Sequence, residues 1–269
     1  MKLAGKTALI TGASSGIGKA VALELASLGA NIILAARRID LLEKLKHELI
    51  DKYKVDSITI QLDVSKLDQV KIAINNLSNK WQNIDILVNN AGLALGLSGL
   101  QDGDIDQWNT MIDVNLKGLL YVTRTVLPIM IKNNCGHIVN IGSTAGHDSY
   151  FGGNVYSATK HAVRSLSKSL RIDLLGKPIR ITEVDPGAVG GTEFSIVRWN
   201  SKEKAEEFYS EFNALAAEDI AETVSFCLTR KPHVNISEVV VCSIDQASAN
   251  HINRKNKLPS ATFSRHKED

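Results

Sequence analysis

The chain has 269 residues, of which 44% are apolar and 22% charged, and its net charge is +2. That composition is close to the globular average and supplies a substantial core for one large α/β domain or two small ones. A charge so near neutral gives no electrostatic footprint for nucleic acid. No run approaches the roughly 18 apolar residues that would span a bilayer, and MKLAGKTALITGASSG lacks the apolar run and cleavage site of a secretion signal.

In chain order, residues 7–11 predict a first strand, and a helix opens near Gly16 and runs to about residue 28. Residues 31–35 form the next strand, and 41–53 carry apolar side chains at helical spacing. Residues 57–63, 84–89, 137–141, 180–185 and 238–242 complete the predicted strands. Strands separated by helical stretches of 10–25 residues need crossover connections, hence a mostly parallel sheet covered on both faces. One domain over residues 1–253 is expected. Residues 187–217 are a long insertion, read as a lid because long loops are usually functional. Residues 254–269 are polar and lack periodicity, as a mobile tail does. Cys135, Cys227 and Cys242 are odd in number, far apart and outside any metal-ligand spacing. They predict reduced thiols in a cytoplasmic protein without a bound metal.

TGASSGIG at residues 11–18 follows a predicted strand and opens a predicted helix, the context that a dinucleotide fingerprint requires. Gly12 allows the tight turn, Gly16 lets a cofactor approach the backbone, and Gly18 permits close helix–strand packing. Backbone N–H groups at the helix N-terminus then face a pyrophosphate. The second strand ends in LAARRID, with Ala36 where an NAD-binding acid would sit, followed by Arg37 and Arg38. A carboxylate would repel a 2′-phosphate, whereas a guanidinium grips it, so NADP(H) is the expected cofactor. Asp63, in LDVS, is placed either to accept from the adenine amino group or to cap the next helix.

Tyr156 and Lys160, in YSATK, share one helix face. A free tyrosine titrates near 10 and is a poor base at neutral pH. A neighbouring ammonium favours the phenolate, which brings the pair toward the range of efficient acid/base catalysis. Ser143 precedes Tyr156 by 13 residues and is either a turn former or a second hydroxyl aimed at the same carbonyl. Asn115 sits mid-helix, where Asn is intrinsically unfavourable, and does either a structural job or holds a water beside Lys160. NNAG at residues 89–92 supplies a backbone turn after another strand.

TGASSGIG, LDVS, NNAG, Asn115, Ser143, YSATK and the DPG of residues 185–187 occur in the order and spacing of the short-chain dehydrogenase/reductases, which residues 5–250 resemble as a set. The resemblance implies a single-domain, doubly wound α/β Rossmann fold with seven parallel strands. It implies a catalytic tetrad of Asn115, Ser143, Tyr156 and Lys160. It places the cofactor against Gly12, Ser14, Ser15, Gly16, Ile17, Gly18, Arg37, Arg38, Asp63, Val64, Asn90, Ala91 and Gly92. Tyr156, Lys160, Pro186, Gly187, Val189 and Thr192 would complete that surface. A homotetramer or homodimer through the helices around 108–132 and 155–175 is also implied. GGNVYSATK, DPGAVGGTEFSIVRW and QASANHI are similar, more narrowly, to NADP-dependent 3-hydroxy acid dehydrogenases acting on serine and L-allo-threonine. Asp185 and Ala188 depart from that group, where Glu and Leu are expected. A small 3-hydroxy acid is then the expected substrate, held by Ser143, Tyr156 and Arg198. Reduction of another carbonyl (3-oxoacyl, sugar or steroid) and a non-catalytic NADP sensor are the alternatives.

Overall fold

The computed structural model describes residues 1–78 and 80–254; of the tail expected at 254–269 only Arg254 is among them, paired with Glu211, and the rest lies outside the described residues. Seven parallel strands form one sheet in the order β3-β2-β1-β4-β5-β6-β7. They are β1 (Thr7–Thr11), β2 (Asn31–Ala36), β3 (Ser57–Gln61), β4 (Ile86–Asn89), β5 (Gly136–Ile141), β6 (Ile179–Pro186) and β7 (Glu238–Val241). Every residue of β1, β4 and β5 is buried, as a parallel sheet covered on both faces requires. This is the doubly wound arrangement that the alternation of apolar runs predicts.

Helices α1 (Gly16–Ser27), α2 (Ile39–Tyr53) and α9 (Ala217–Leu228) cover one face. Val21, Leu25, Leu42, Leu45, Ile220 and Val224 bury their side chains there against Ile10, Ile32 and Leu34. Leu25 is wholly out of water, which contributes about 1.5–3 kcal/mol. The other face is covered by α3 (Leu67–Asn75), α5 (Leu119–Lys132) and α6 (Asn154–Asp173). Val70, Ile74, Val122, Val126 and Met130 pack there against Leu9, Leu87 and Ile138.

The run from α4 (Ile105–Ile112) into α5 is long and apolar enough to cross a bilayer by composition alone. In the fold its apolar stripe lies on the sheet, so the hydropathy of the helix is that of a core-facing element. Between α4 and α5, residues Asp113–Gly118 adopt a π-helical turn. Such wide turns are rare and favour functional positions; Asn115 stands in it.

Two sequence expectations shift. The third strand ends at Gln61, because the Asp63 carboxylate accepts from the Ser65 N–H at 3.0 Å and turns the chain out of the ladder. The insertion at 187–217 is helical rather than an open loop, with α7 (Glu193–Trp199) and α8 (Lys202–Ser210). Asn200 ends α7 at φ 49°, and Ser201 caps α8 by accepting from the Lys204 N–H. Trp199 and Phe212 both pack on Phe208, with ring centroids 5.1 and 5.4 Å away, so the lid carries its own small apolar core.

Candidate active site

The strand order reverses between β1 and β4, the topological switch point at which doubly wound sheets bind ligands beyond the strand C-termini. A cleft of about 700 Å³ opens there. All residues assigned to the cofactor from sequence line it except Gly18, which lies just beneath. Gly12 has φ +66° and Gly16 φ +52°. A Cβ at Gly12 would stand 2.9 Å from the Ala91 Cα, and one at Gly18 would stand 2.4 Å from the Gly12 carbonyl oxygen. At Gly16 only Thr192 comes as near as 3.4 Å. Gly12 and Gly18 thus close the strand–helix turn, and Gly16 leaves its backbone open to the cleft. Asn90 fixes the turn from the side, donating through Nδ2 to the Thr11 carbonyl at 2.9 Å and the Gly12 carbonyl at 3.2 Å. This cradle fits a dinucleotide pyrophosphate, with the N-terminus of α1 facing it.

Ala36 ends β2 at the rim of the cleft, and Arg37 and Arg38 follow it there. Arg37 is exposed, and among the described residues its guanidinium has no partner. Arg38 is engaged: it donates to the Ser14 hydroxyl at 3.0 Å, the Ser15 hydroxyl at 2.8 Å and the Glu193 carboxylate at 2.7 Å. Two cations and two hydroxyls beside the first turn suit a ribose 2′-phosphate. Asp63 is not the cap of α3, whose N-cap is Lys66; it holds Ser65 and stays at the rim next to Val64.

Tyr156 and Lys160 project from α6 into the inner end of the cleft. The Lys160 Nζ is 5.9 Å from the Tyr156 ring centroid and donates to the Ile141 carbonyl at 2.9 Å. Ser143 follows β5 and is only half-buried; its hydroxyl accepts from the Ala145 N–H at 3.1 Å, which aims it along the cleft wall. Burial raises the Tyr156 phenol well above its ordinary value, while the Ser143 hydroxyl and the Arg198 charge pull it down. The depression expected from Lys160 is not among the influences on the phenol. Desolvation sets the direction at both groups, and the ammonium, itself pushed down to about 8 by burial, donates to the Ile141 carbonyl.

Asn115 clamps the turn after β4 rather than facing the cleft. Its Oδ1 accepts from the Leu93 N–H at 2.9 Å, and its Nδ2 donates to the Leu93 carbonyl at 2.8 Å and the Thr159 hydroxyl at 3.1 Å. The structural and functional readings of Asn115 meet at Gly92, where an added Cβ would lie 3.4 Å from Asn115 Oδ1 and 3.7 Å from Lys160 Nζ.

Pro186 ends β6 and Gly187 follows it, Val189 bridges to Leu215 at the foot of the lid, and Thr192 immediately precedes α7 beside Gly16. From α7, Arg198 reaches over the catalytic end, its Cζ 5.7 Å from the Tyr156 ring centroid and 5.0 Å from that of Tyr150. It donates to the Tyr150 hydroxyl at 2.6 Å and, more weakly, to the Gly96 and Gly152 carbonyls. Among the described residues no carboxylate neutralises it. Tyr150, Phe194 and Tyr209 also line this end and are missed by sequence reading. Tyr150 sits in a patternless loop, and the two lid aromatics are placed only by the fold of α7 and α8.

A sequence model described as short chain dehydrogenase matches residues 6–206. The chain is 46% identical over 256 residues to the NADP-dependent 3-hydroxy acid dehydrogenase of Schizosaccharomyces pombe, covering 94% of this chain and 98% of that protein. It is also 46% identical over 242 residues to the NADP-dependent 3-hydroxy acid dehydrogenase YdfG of Escherichia coli K12, covering 90% and 96%. Among solved structures, the closed form of a serine dehydrogenase complexed with NADP+ superposes with a TM-score of 0.86 at 44% identity, covering 90% of this chain and 97% of that one.

Proposed function

The chain belongs to the short chain dehydrogenase family, and on that premise we propose that it is an NADP-dependent oxidoreductase interconverting a small 3-hydroxy acid and its carbonyl form. Bound NADP(H) supplies the hydride acceptor or donor; the chain supplies alignment, a proton site and charge. Tyr156 exchanges the proton of the substrate oxygen. Its buried neutral phenol is ready to donate in reduction, and in oxidation it must first give up that proton. Ser143 holds the same oxygen by a hydrogen bond, and Lys160 binds the ribose and adds positive charge next to the phenol. Asn115 keeps the wall at Leu93 in register, so that any water it orders is held by its backbone, its side chain being committed.

The acid specificity rests on one observation: Arg198 lies 5.7 Å from the Tyr156 ring without an acidic partner among the described residues. A half-buried guanidinium at the catalytic end calls for an anion, and its planar fork suits a carboxylate. Its present partners, a phenol and two carbonyls, are neutral groups that a carboxylate could replace.

Assays of NADP+ reduction with serine, L-allo-threonine and 3-hydroxypropionate, each beside its methyl ester, test the reading. Turnover of the free acids with much higher KM for the esters supports it. Preference for esters or for bulky uncharged ketones would place the enzyme among carbonyl reductases of other specificity.

Self-association is part of the same proposal. Leu120 and Ile131 on α5 and Ile172 on α6 are exposed apolar side chains on the helices that would carry it.

A further inference from the structure

Behind the catalytic end lies a buried acidic group that no step above uses. Asp185, near the end of β6, is 1% exposed, and Glu183, two residues earlier on the same strand, is fully buried. Asp185 Oδ1 accepts from the Ser143 N–H at 3.0 Å, and Oδ2 pairs with His147 Nε2 at 3.0 Å. The carboxylates lie so close under the chain that a Cβ at Gly142 would meet Asp185 Oδ1 at 1.8 Å and Glu183 Oε1 at 2.9 Å. Gly142 is thus glycine because an acid fills the space of its side chain.

The segment 141–143 is held from two sides. Lys160 Nζ grips the Ile141 carbonyl, and Asp185 grips the Ser143 N–H two residues on. We propose that Asp185 is a positioning residue for the reaction, fixing the Ser143 turn and supplying the buried negative charge that answers the Lys160 ammonium. The inference rests on the roles proposed for Ser143 and Lys160.

The surroundings are consistent with it. Burial lowers Lys160 while Asp185, the larger of the two acidic influences, raises it, so that carboxylate helps to keep the ammonium charged in a site that desolvates it. The groups facing Asp185 are Glu183 on its own strand, His147 from the turn after β5, Glu238 from β7 and Lys160 from α6. His147, Asp185 and Glu238 lie close enough to suggest a cation site. Arg164 already donates to Glu238 Oε1 at 2.8 Å, however, and provides the positive charge that a metal would bring. Arg164, Glu238, His147 and Asp185 are thus joined in one charge network.

Asp185→Asn and Asp185→Ala separate the two contributions. The amide retains an acceptor for Ser143 N–H but removes the charge; alanine removes both. The expected result for Asp185→Asn is a kcat about tenfold lower, for Asp185→Ala about a hundredfold lower, with NADPH affinity close to wild type in both. In Asp185→Asn the alkaline limb of the kcat–pH profile moves to lower pH, because Lys160 loses its proton more readily. A purely structural residue would not move that limb. Tyr156→Phe is measured beside them. If that variant is inactive while Asp185→Asn keeps both wild-type kcat and wild-type profile, Asp185 has no such role although the active-site reading stands. If Tyr156→Phe is active, the active-site reading itself is at fault. Should Asp185→Asn fail to fold, His147→Gln leaves the acid in place but loosens its outer oxygen. A several-fold fall in kcat with unchanged NADPH binding then supports the proposal, and an unaltered kcat overturns it.

Discussion

Arg38 and Glu193 meet across the mouth of the cofactor cleft at 2.7 Å, joining the end of β2 to the first turn of the lid helix α7. The acid therefore occupies the cation that a 2′-phosphate would seek, while Arg37 beside it has no partner among the described residues. Both side chains of the ion pair are about half exposed, so it is weak, and a phosphate with two charges can displace it. The lid and a 2′-phosphate bound at this rim would thus compete for one guanidinium.

Arg37→Ala should weaken NADPH relative to NADH by about one to two decades, the worth of one charged hydrogen bond. Glu193→Gln should do the opposite, tightening NADPH up to about fivefold with NADH nearly unchanged. Fluorescence titration of both nucleotides reads both ratios. A wild type that binds NADH as tightly as NADPH would contradict the assignment.

Gly18→Ala drives a methyl against backbone, 2.4 Å from the Gly12 carbonyl oxygen. The turn and α1 must separate, at a cost of about 1–3 kcal/mol. Chemical denaturation should register that loss, together with a fall in NADPH affinity; a variant of full stability and affinity would mean that the turn is looser than described.

Arg198→Met keeps most of the stem but removes the charge above Tyr156. KM for a 3-hydroxy acid should rise by at least tenfold, the worth of a desolvated charge-assisted pair, and that for its methyl ester far less. Equal changes for acid and ester would reduce Arg198 to a packing residue of the lid.

Burial and the neighbouring Asp185 push the Glu183 carboxyl up to about 8. The folded chain then holds a proton that the unfolded chain releases near 4.5. The contribution to stability is complete below the unfolded value and is lost as pH climbs through 8. Glu183→Gln, neutral at every pH, should be more stable than wild type at pH 8 by about 1–3 kcal/mol, the gap closing toward pH 5. Urea melts at the two pH values decide it, and a constant gap would show that Glu183 titrates normally.

Much of this site is legible in the sequence because local rules govern it. The glycines of TGASSGIG answer to backbone sterics, and the four-residue spacing of Tyr156 and Lys160 to helix geometry. The alternation of apolar runs is the signature of a sheet covered twice, and β1 through β7 follow it. What escapes is decided by tertiary placement. The helices α7 and α8 are only 7 and 9 residues long, too short for periodicity to declare them. Tyr150 meets Arg198 from 48 residues away, and Asp185 meets Ser143 from 42. Lys160 illustrates a subtler limit: its spacing from Tyr156 is visible, but the direction in which burial moves both groups depends on the water excluded around them.

The central claim is that the Tyr156 phenol exchanges the substrate proton, and Tyr156→Phe tests it most directly. The variant keeps the ring packed on Phe194, with centroids 5.6 Å apart, and removes only the hydroxyl. NADPH binding and NADP+ reduction with the best 3-hydroxy acid are measured on the same preparation. The account predicts near-normal binding with turnover lower by about two to four decades; turnover within a factor of a few of wild type would contradict it.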